Sequence, residues 1–317
     1  MSPSPISPPG PVWPGSWSRR RFLARGIAWV GALSLGGVLP RQAAAGGPAD
    51  IAIAEGTPEA AVRAAVGALG GIQAFVRRGQ KVVIKPNMSF APDVERASNT
   101  HPEVVRTLVA LCREAGAGRV RVLDHPLRQA ELCIEGVKQA CSPFDKDMVH
   151  GLDKPGFFKP VSIAQGLQMR ETDVMQDVLE ADVLIATPVA KSHGSTGVSL
   201  SLKGMMGLIW DRGIMHYKYD LNEAIVDLAT VLKPQLTVID VTRALTTNGP
   251  GGPGKVVRLD AVIAAADPVA ADAQAVAMVP WYGQRLAPRQ VPHIRRAHER
   301  GLGRMDIENL RVRRVTA

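Results

Sequence analysis

The sequence predicts an α/β fold with a mostly parallel sheet covered by helices on both faces. Short runs rich in Val, Ile and Ala alternate along the chain with segments of helical periodicity. These runs are apolar at consecutive rather than alternating positions, which is typical of parallel strands buried on both faces. The chain has 317 residues, of which 46% are apolar, so it is long enough to enclose a large core.

The predicted elements follow one another in a regular order. Each helix begins near a capping residue or proline, and each strand ends at polar residues or proline. The first half contains a strand at 50–56, a helix at 57–72 capped by Thr57, a strand at 81–87, a helix from Thr100, and a strand at 119–125. The second half contains a strand at 182–191, a helix near 221–232, strands at 236–242 and 261–268, a helix from Val269, and a tail strand within 306–315. Between them, near 126–180, the pattern weakens and predicts an irregular insertion.

The N-terminal region is interpreted as an export signal and not as part of the fold. Arg19 and Arg20, followed by Phe22 and Leu23, resemble a twin-arginine signal, although Ala24 stands where a lysine is usual. The following apolar run of about 14 residues is shorter than the roughly 20 that span a bilayer, which disfavours a transmembrane helix. We therefore expect cleavage near Ala45, a single α/β domain at 46–317, and a periplasmic or otherwise exported protein that uses the twin-arginine machinery.

The charge distribution argues against a nucleic-acid-binding protein. The formal net charge is +9, but residues 1–45 contain five arginines and no acidic residue, so about +4 remains after cleavage. No basic stretch alternates with aromatic residues, as single-strand binding requires. The three cysteines are too widely spaced for a CxxC metal motif, and buried free thiols are favoured over a disulfide.

Polar and charged residues follow five of the predicted strands. In an open parallel sheet, ligands bind at the carboxyl ends of the strands. This edge of the sheet is called the rim. The residues that the topology would place on it are Lys85, Asn87, Asp124, Lys191, His193, Asp240 and Asp267. The alternative is that each is an ordinary turn or capping residue.

Several segments, in the same order, resemble the landmarks of the family called "domain of unknown function 362". They include "VVIKPNMSF", "ADVLIATPVAKSH", "SLKGMMGLI", "NGPGGPG" and "AADPVAADAQAVA", and the resemblance extends over roughly residues 50–280. The resemblance implies the fold but no reaction. Some members carry a ferredoxin-like cluster domain. This chain lacks the cysteines that such a cluster requires, so this property does not carry over.

The segment "VAKSHGSTGVSLSLKGMMG" predicts the catalytic part of the site. Lys191 and His193 alternate and would share one face of an extended strand, where they could hold an anion and transfer a proton, with Asp240 as a further acid. The predicted ligand-binding residues are Lys85, Asn87, Asn99, Thr100, His101, Lys203, Gly204, Arg212, His216 and Asp267. Gly204 and Gly207 are both expected to permit a close approach of the backbone. Of these, Thr100 is also the expected N-cap of the second helix, and Asp267 that of a later one.

Two more specific kinds of site, a phosphate loop and a zinc site, are not supported by the residues present. The nearest approach to a phosphate loop, "GPGGPGK", is followed by Val256 where a hydroxyl residue is required. A zinc site could use only His193, His216 and Asp240, whose spacing fits no motif, so no metal is predicted. We therefore expect an enzyme acting on a small anionic ligand. The alternative is a non-catalytic protein that binds a cofactor or metal, in redox or maturation chemistry, and the sequence does not identify a cofactor.

Overall fold

The computed structural model describes residues 48–91 and 93–317. The proposed export signal and cleavage site lie outside the described residues. Within these ranges, none of the helices combines the length and the apolarity needed to cross a membrane.

The strands form one large sheet and two small hairpins. In chain order they are β1 (Ile51–Glu55), β2 (Lys81–Pro86), β3 (Arg119–Asp124), β4 (Val149–Gly151), β5 (Phe158–Ser162), β6 (Glu171–Met175), β7 (Val183–Thr187), β8 (Val189–His193), β9 (Gly197–Ser199), β10 (Leu236–Leu245), β11 (Val256–Ala265), β12 (Pro280–Trp281), β13 (Gln284–Arg285) and β14 (Val312–Thr316).

The large sheet has the order β14-β1-β11-β10-β7-β2-β3-β4, with β8 and β9 attached beside β10. All neighbours in the main order are parallel except at β11, which runs antiparallel to both β1 and β10. The predicted mostly parallel sheet is therefore confirmed, with one reversed strand that the sequence pattern did not indicate. The predicted tail strand is β14, which pairs with β1.

Helices cover both faces of the sheet, as predicted. They are α1 (Pro58–Ala68), α2 (Pro102–Glu114), α3 (Ala130–Cys141), α4 (Gln176–Leu179), α5 (Ser201–Gly204), α6 (Ile214–Tyr217), α7 (Leu221–Ala229), α8 (Pro268–Met278) and α9 (Pro292–Glu299). One core contains apolar side chains of α1, α2 and α3, whereas α7, α8 and α9 contribute to the core on the other face. Strand β1 contributes side chains to both cores, because Ile51 and Ile53 belong to one core and Ala52 and Ala54 belong to the other.

The predicted caps are confirmed at two of three helices. Thr57 accepts from the amide of Ala60 at the start of α1, and Asp267 accepts from two amides at the start of α8. The N-cap of α2, however, is His101 and not Thr100. Thr100 is occupied elsewhere, because its hydroxyl donates to the Thr187 carbonyl at 2.7 Å and accepts from the Asn87 amide at 2.9 Å.

The segment 126–180 is only partly an insertion. Its helix α3 packs beside α2, and β4 extends the main sheet by pairing with β3. The irregular part is the separate β5–β6 hairpin, which contacts the segment after α5 through a bridge between Val174 and Ile209. This hairpin also places Phe158 against Trp210 and His125, beside the carboxyl end of β3.

Pro188 divides one extended segment into two strands with different neighbours. Both strands pair with β10, but β7 also pairs with β2 as far as Thr187, whereas β8 pairs with β9. At the point of separation, the Val189 amide donates to the side-chain oxygen of Asn87 at 3.1 Å. The sheet therefore opens beyond the end of β2, on the edge where the sequence predicts a site.

Candidate functional site

A cavity of about 300 Å³ occupies this opening at the carboxyl ends of β2, β3 and β8. Its walls come from four chain segments that are distant in sequence: the end of β2, the end of β3, the region from β8 to α6, and the loop between β10 and β11 that carries Pro250. Eight of the thirteen residues predicted for the site line it, namely Lys85, Asn87, Lys191, His193, Lys203, Gly204, Arg212 and His216.

Lys85 and Asp124 form a buried ion pair at the base of the cavity. The Lys85 Nζ lies 3.1 Å from Asp124 Oδ1, and each side chain is only 1% exposed. The other carboxylate oxygen of Asp124 accepts from the Met88 amide at 2.7 Å and from the Ser89 hydroxyl at 3.2 Å. Burial lowers the pKa of Lys85, and the neighbouring Asp124 carboxylate opposes that shift.

Lys191 is a buried amine without a carboxylate of its own. Its Nζ donates to the Ser98 carbonyl at 2.6 Å and lies 5.3 Å from the centroid of the Phe90 ring. Burial lowers its pKa to about 7; the positive charges of Lys85 and Lys203 add to the shift, and Asp124 opposes it. Lys191 can therefore exchange a proton near neutral pH.

Lys203 has no oxygen acceptor within hydrogen-bonding distance in the part of the chain that the structure describes. The acceptor recorded for its Nζ is the Met206 sulfur at 3.5 Å, a weak partner. Helix α5 holds Lys203 in place, because the buried Asp272 carboxylate accepts from the amides of Ser201 and Leu202 at 2.8 and 2.9 Å. Burial and the charge of Arg212 lower the pKa of Lys203 to about 8.

Arg212 completes a group of four cationic side chains around the cavity. Its guanidinium donates to the backbone carbonyls of His125 and Pro126, which fixes it beside the end of β3. The lining therefore contains Lys85, Lys191, Lys203 and Arg212 but a single carboxylate, that of Asp124. Removing so much like charge from water is unfavourable unless an anion compensates for it.

His193 lies in the cavity wall as a neutral hydrogen-bond donor. Its Nδ1 accepts from the Ser195 amide at 3.2 Å, so the neutral ring carries its proton on Nε2. Burial, and then the charges of Lys203 and of His216, whose ring centroid is 6.1 Å away, lower the pKa of His193 to about 3. A general-base role, which the sequence suggested, fits this environment less well than donation from Nε2 to a bound oxygen.

Gly207 is the position where the site requires the absence of a side chain. A Cβ there would lie 2.3 Å from Asp124 Oδ1 and 2.6 Å from Lys85 Cε. At the predicted Gly204, in contrast, a Cβ would meet only the Pro188 Cβ, at 3.9 Å. The glycine that permits the close approach is thus Gly207, three residues later.

The structure does not bring Asp240 to the cavity, so its assignment as a catalytic acid there is corrected. Strand β10 continues to Leu245 because β8 and β11 pair with it, and Asp240 lies within the strand instead of at its end. Its carboxylate accepts from the His101 amide, the Thr242 amide and hydroxyl, and Arg243 Nη1 at 3.1 Å. These contacts together occupy both carboxylate oxygens, Oδ2 with His101 and Arg243 and Oδ1 with Thr242.

Asn99, Thr100 and His101 organise the loop beside the cavity and are not among its lining residues. Asn99 binds the backbone of Ser89 and Phe90 through its side-chain amide. His101 Nδ1 accepts from the Glu103 amide at 3.1 Å, as the cap of α2, and burial lowers its pKa. These contacts use the side-chain groups that were expected to hold an anion.

Asp267 is the fifth predicted residue that lies away from the cavity. It follows β11, and because β11 runs antiparallel to its neighbours, its end lies on the opposite edge of the sheet. There the Asp267 carboxylate caps α8 and accepts from the Arg304 amide at 2.7 Å.

Sequence reasoning missed several lining residues. Asp124, at the end of β3, was placed on the rim by the strand-end rule but was not counted among the catalytic or ligand-binding residues. Pro250 belongs to the "NGPGGPG" segment, which had been considered only as a phosphate loop. The others, apart from Gly207, have no chemical signature in the sequence: Ser89, Phe90, Leu127, Ser199, Met206 and Gly213.

Among the residues that the structure describes, no group of three or more His, Cys, Asp or Glu side chains could hold a metal ion. The chemistry of the cavity lining is that of an anion site, because amines and a guanidinium outnumber its one carboxylate.

Comparisons with known proteins agree with the family resemblance but do not identify a reaction for this chain. Residues 82–277 match the family described as "Domain of unknown function (DUF362)". The thylakoid-associated protein sll1697 of Synechocystis sp. is 27% identical over 204 residues, which cover 60% of this chain and 60% of that protein.

Two solved structures resemble the fold at low similarity. They are a lactate racemase apoprotein from Thermoanaerobacterium thermosaccharolyticum (TM-score 0.47, 13% identity) and a Thermotoga maritima protein (TM-score 0.43, 15% identity). The matches cover 68% and 64% of this chain, but only 54% and 55% of those chains.

Proposed function

The chain belongs to the family described as a domain of unknown function, DUF362, and from this premise we propose that it is an exported enzyme that binds a small, multiply charged anion in the rim cavity. One observation carries the proposal: three buried lysines and the half-buried Arg212 line a cavity in which, among the residues that the structure describes, Asp124 supplies the only carboxylate.

Lys203 is the lysine of the cavity that lacks a strong hydrogen-bond acceptor in the described part of the chain. A buried ammonium group without a strong acceptor is unfavourable, so it either loses its proton or binds an anion. Lys85 is satisfied by Asp124, and Lys191 by the Ser98 carbonyl, whereas Lys203 has only the Met206 sulfur at 3.5 Å. An anion beside Lys203 would supply the missing acceptors.

The size and the walls of the cavity favour a small organic anion. Its volume of about 300 Å³ suits a molecule of metabolite size. Phe90, Leu127, Met206 and Pro250 supply apolar wall between the charged groups. Such a surface would contact carbon atoms, while the cations bind carboxylate or phosphate oxygens.

The enzymatic part of the proposal depends on proton transfer near neutral pH. Lys191, whose burial lowers its pKa to about 7, is suited to accept or donate a proton. His193 Nε2 would donate to an oxygen of the bound anion. These roles support an enzyme over a protein that only holds a cofactor.

Calorimetric titration with phosphate, pyrophosphate, malonate and citrate tests the proposed anion site. We expect at least one multivalent anion to bind, and its affinity to fall as pH rises from 7 to 9, because Lys191 and Lys203 lose their protons in this range. Lys203→Met should weaken binding at least tenfold. Lys218→Met, at an exposed lysine after α6, should not.

Equal binding by both variants, or binding that does not change with pH, would contradict the site. Spectroscopy and mass analysis of protein purified from its native compartment test the alternative. A stoichiometric chromophore or metal would support a cofactor-holding protein.

The export part of the proposal rests on the Arg19-Arg20 pair, the short apolar run and the small residues before Gly46. In a bacterial host that has twin-arginine machinery, the wild-type chain should reach the periplasm in a shortened form. Replacing both arginines with lysine should retain the precursor in the cytoplasm. Export of the doubly substituted chain at the wild-type level would argue against this route.

A further inference from the structure

We propose that Lys203 is a nucleophile that forms an imine with the carbonyl group of a small oxo acid whose carboxylate is held by the other cations of the cavity. This inference rests on the proposed anion site and names the substrate class. It follows from the different surroundings of the three lysines in the cavity.

Lys85 and Lys191 are each held by oxygen atoms of the protein. Lys85 Nζ pairs with Asp124 Oδ1 at 3.1 Å, which stabilises the protonated amine. Lys191 Nζ donates to the Ser98 carbonyl at 2.6 Å and thereby fixes the loop after β2. Lys85 is thus arranged as a positive charge that binds an anion, and Lys191 adds a second such charge when it is protonated.

Lys203 is arranged differently. In the described part of the chain, its Nζ contacts the Met206 sulfur at 3.5 Å and no oxygen acceptor, so nothing in the protein stabilises the protonated form. Burial and neighbouring cations are the two conditions that activate a lysine amine as a nucleophile. Here the neighbouring cation is Arg212, fixed by the carbonyls of His125 and Pro126.

The position of Lys203 is also fixed, as a covalent reaction requires. Asp272, which is fully buried, accepts from the two amides that begin α5. The turn that carries Lys203 is therefore tied to α8 and packed into the core. The amine is presented to the cavity from a rigid element and not from a mobile loop.

The reaction balances without an oxidant or reductant. The neutral Nζ lone pair adds to the carbonyl carbon, the C=O π electrons move to oxygen, and a proton passes from nitrogen to that oxygen to give a carbinolamine. The nitrogen lone pair then forms the C=N bond as the C–O bond breaks, and the departing hydroxyl takes up the remaining N–H proton, so that oxygen leaves as water and a neutral imine remains. His193, which carries a proton on Nε2, can donate a hydrogen bond to the departing oxygen.

Borohydride trapping of the full-length or exported protein tests this step. The probes are 2-oxoglutarate and glyoxylate, with glutarate and glycolate as counterparts that lack the oxo group. After reduction and proteolysis, mass spectrometry should find one reduced adduct on Lys203, at least tenfold more abundant than on the exposed Lys218. Lys203→Arg should form no adduct in the cavity, whereas Lys218→Arg, at an exposed position, should form the adduct on Lys203 at the wild-type level.

The outcomes separate this inference from the anion site on which it rests. Binding of 2-oxoglutarate without an adduct, or an adduct on Lys191, would overturn the role of Lys203 and leave the anion site intact. If neither glutarate nor 2-oxoglutarate binds and no adduct forms, both proposals fail. Because the adduct is mapped on the wild-type protein, the result does not depend on the folding of a variant.

Discussion

Gly207→Ala is expected to destabilise the protein by about 3 kcal/mol and to remove anion binding. The added methyl group would lie 2.3 Å from Asp124 Oδ1 and 2.6 Å from Lys85 Cε. Because both side chains are buried, the ion pair cannot move into solvent to accommodate it. The pair must separate, or the turn after α5 must move and carry Lys203 away from the cavity.

Gly204→Ala provides the matched control for this prediction. The residue has helical dihedral angles, and the nearest atom to an added Cβ is the Pro188 Cβ at 3.9 Å. Alanine at a helical position should be neutral or stabilising by about 0.5–1 kcal/mol. Chemical denaturation measures both variants, and calorimetry measures their anion affinity. Equal stability of the two variants would show that the close approach at Gly207 is unimportant.

Asp240→Ala should have the largest effect on stability, although Asp240 lies outside the cavity. The substitution leaves Arg243 buried without its carboxylate, and it removes acceptors for the His101 and Thr242 amides. Loss of one partner of a buried pair costs about 3–5 kcal/mol. The loop held by Arg243 through the carbonyls of Val94 and Asn99 should loosen at the same time.

The exposed pair between Arg258 and Glu95 is the control for that experiment. Its side chains are 58% and 70% exposed, so Glu95→Ala should change stability by less than about 1 kcal/mol. Urea denaturation compares the two variants. A loss below 1 kcal/mol for Asp240→Ala would mean that the Asp240–Arg243 pair does not hold the structure together.

The sequence was sufficient to locate the cavity because strand ends are easy to recognise. Lys85, Asp124 and Lys191 each follow or end an apolar run, and parallel strands bring their carboxyl ends to one edge. Asp267 obeyed the same rule but lies elsewhere, because strand direction is set by pairing between distant segments. Nothing within the run "AVIAAA" distinguishes an antiparallel strand from a parallel one.

The local sequence pattern was also insufficient to predict the role of a residue that can make either a local or a long-range hydrogen bond. Thr100 precedes proline by two positions and has Glu103 three residues later, a pattern typical of a capping box. In the folded protein its hydroxyl instead joins the backbones of Asn87 and Thr187, a long-range contact that no local pattern records. The sequence likewise did not show what approaches Gly207, since its neighbours there are Asp124 and Lys85, which are distant in sequence.

The separation of β7 and β8 at Pro188 bears on how such a protein could diversify. The pairing that holds the sheet together involves β7, whereas the chain that encloses the cavity begins at β8 and turns back through β9. The turn between β8 and β9 and the loop that carries Pro250 can therefore change in length without altering the β2–β7 ladder. An insertion in the loop that carries Pro250 would therefore change the lining of the cavity while the parallel sheet beneath it stays the same.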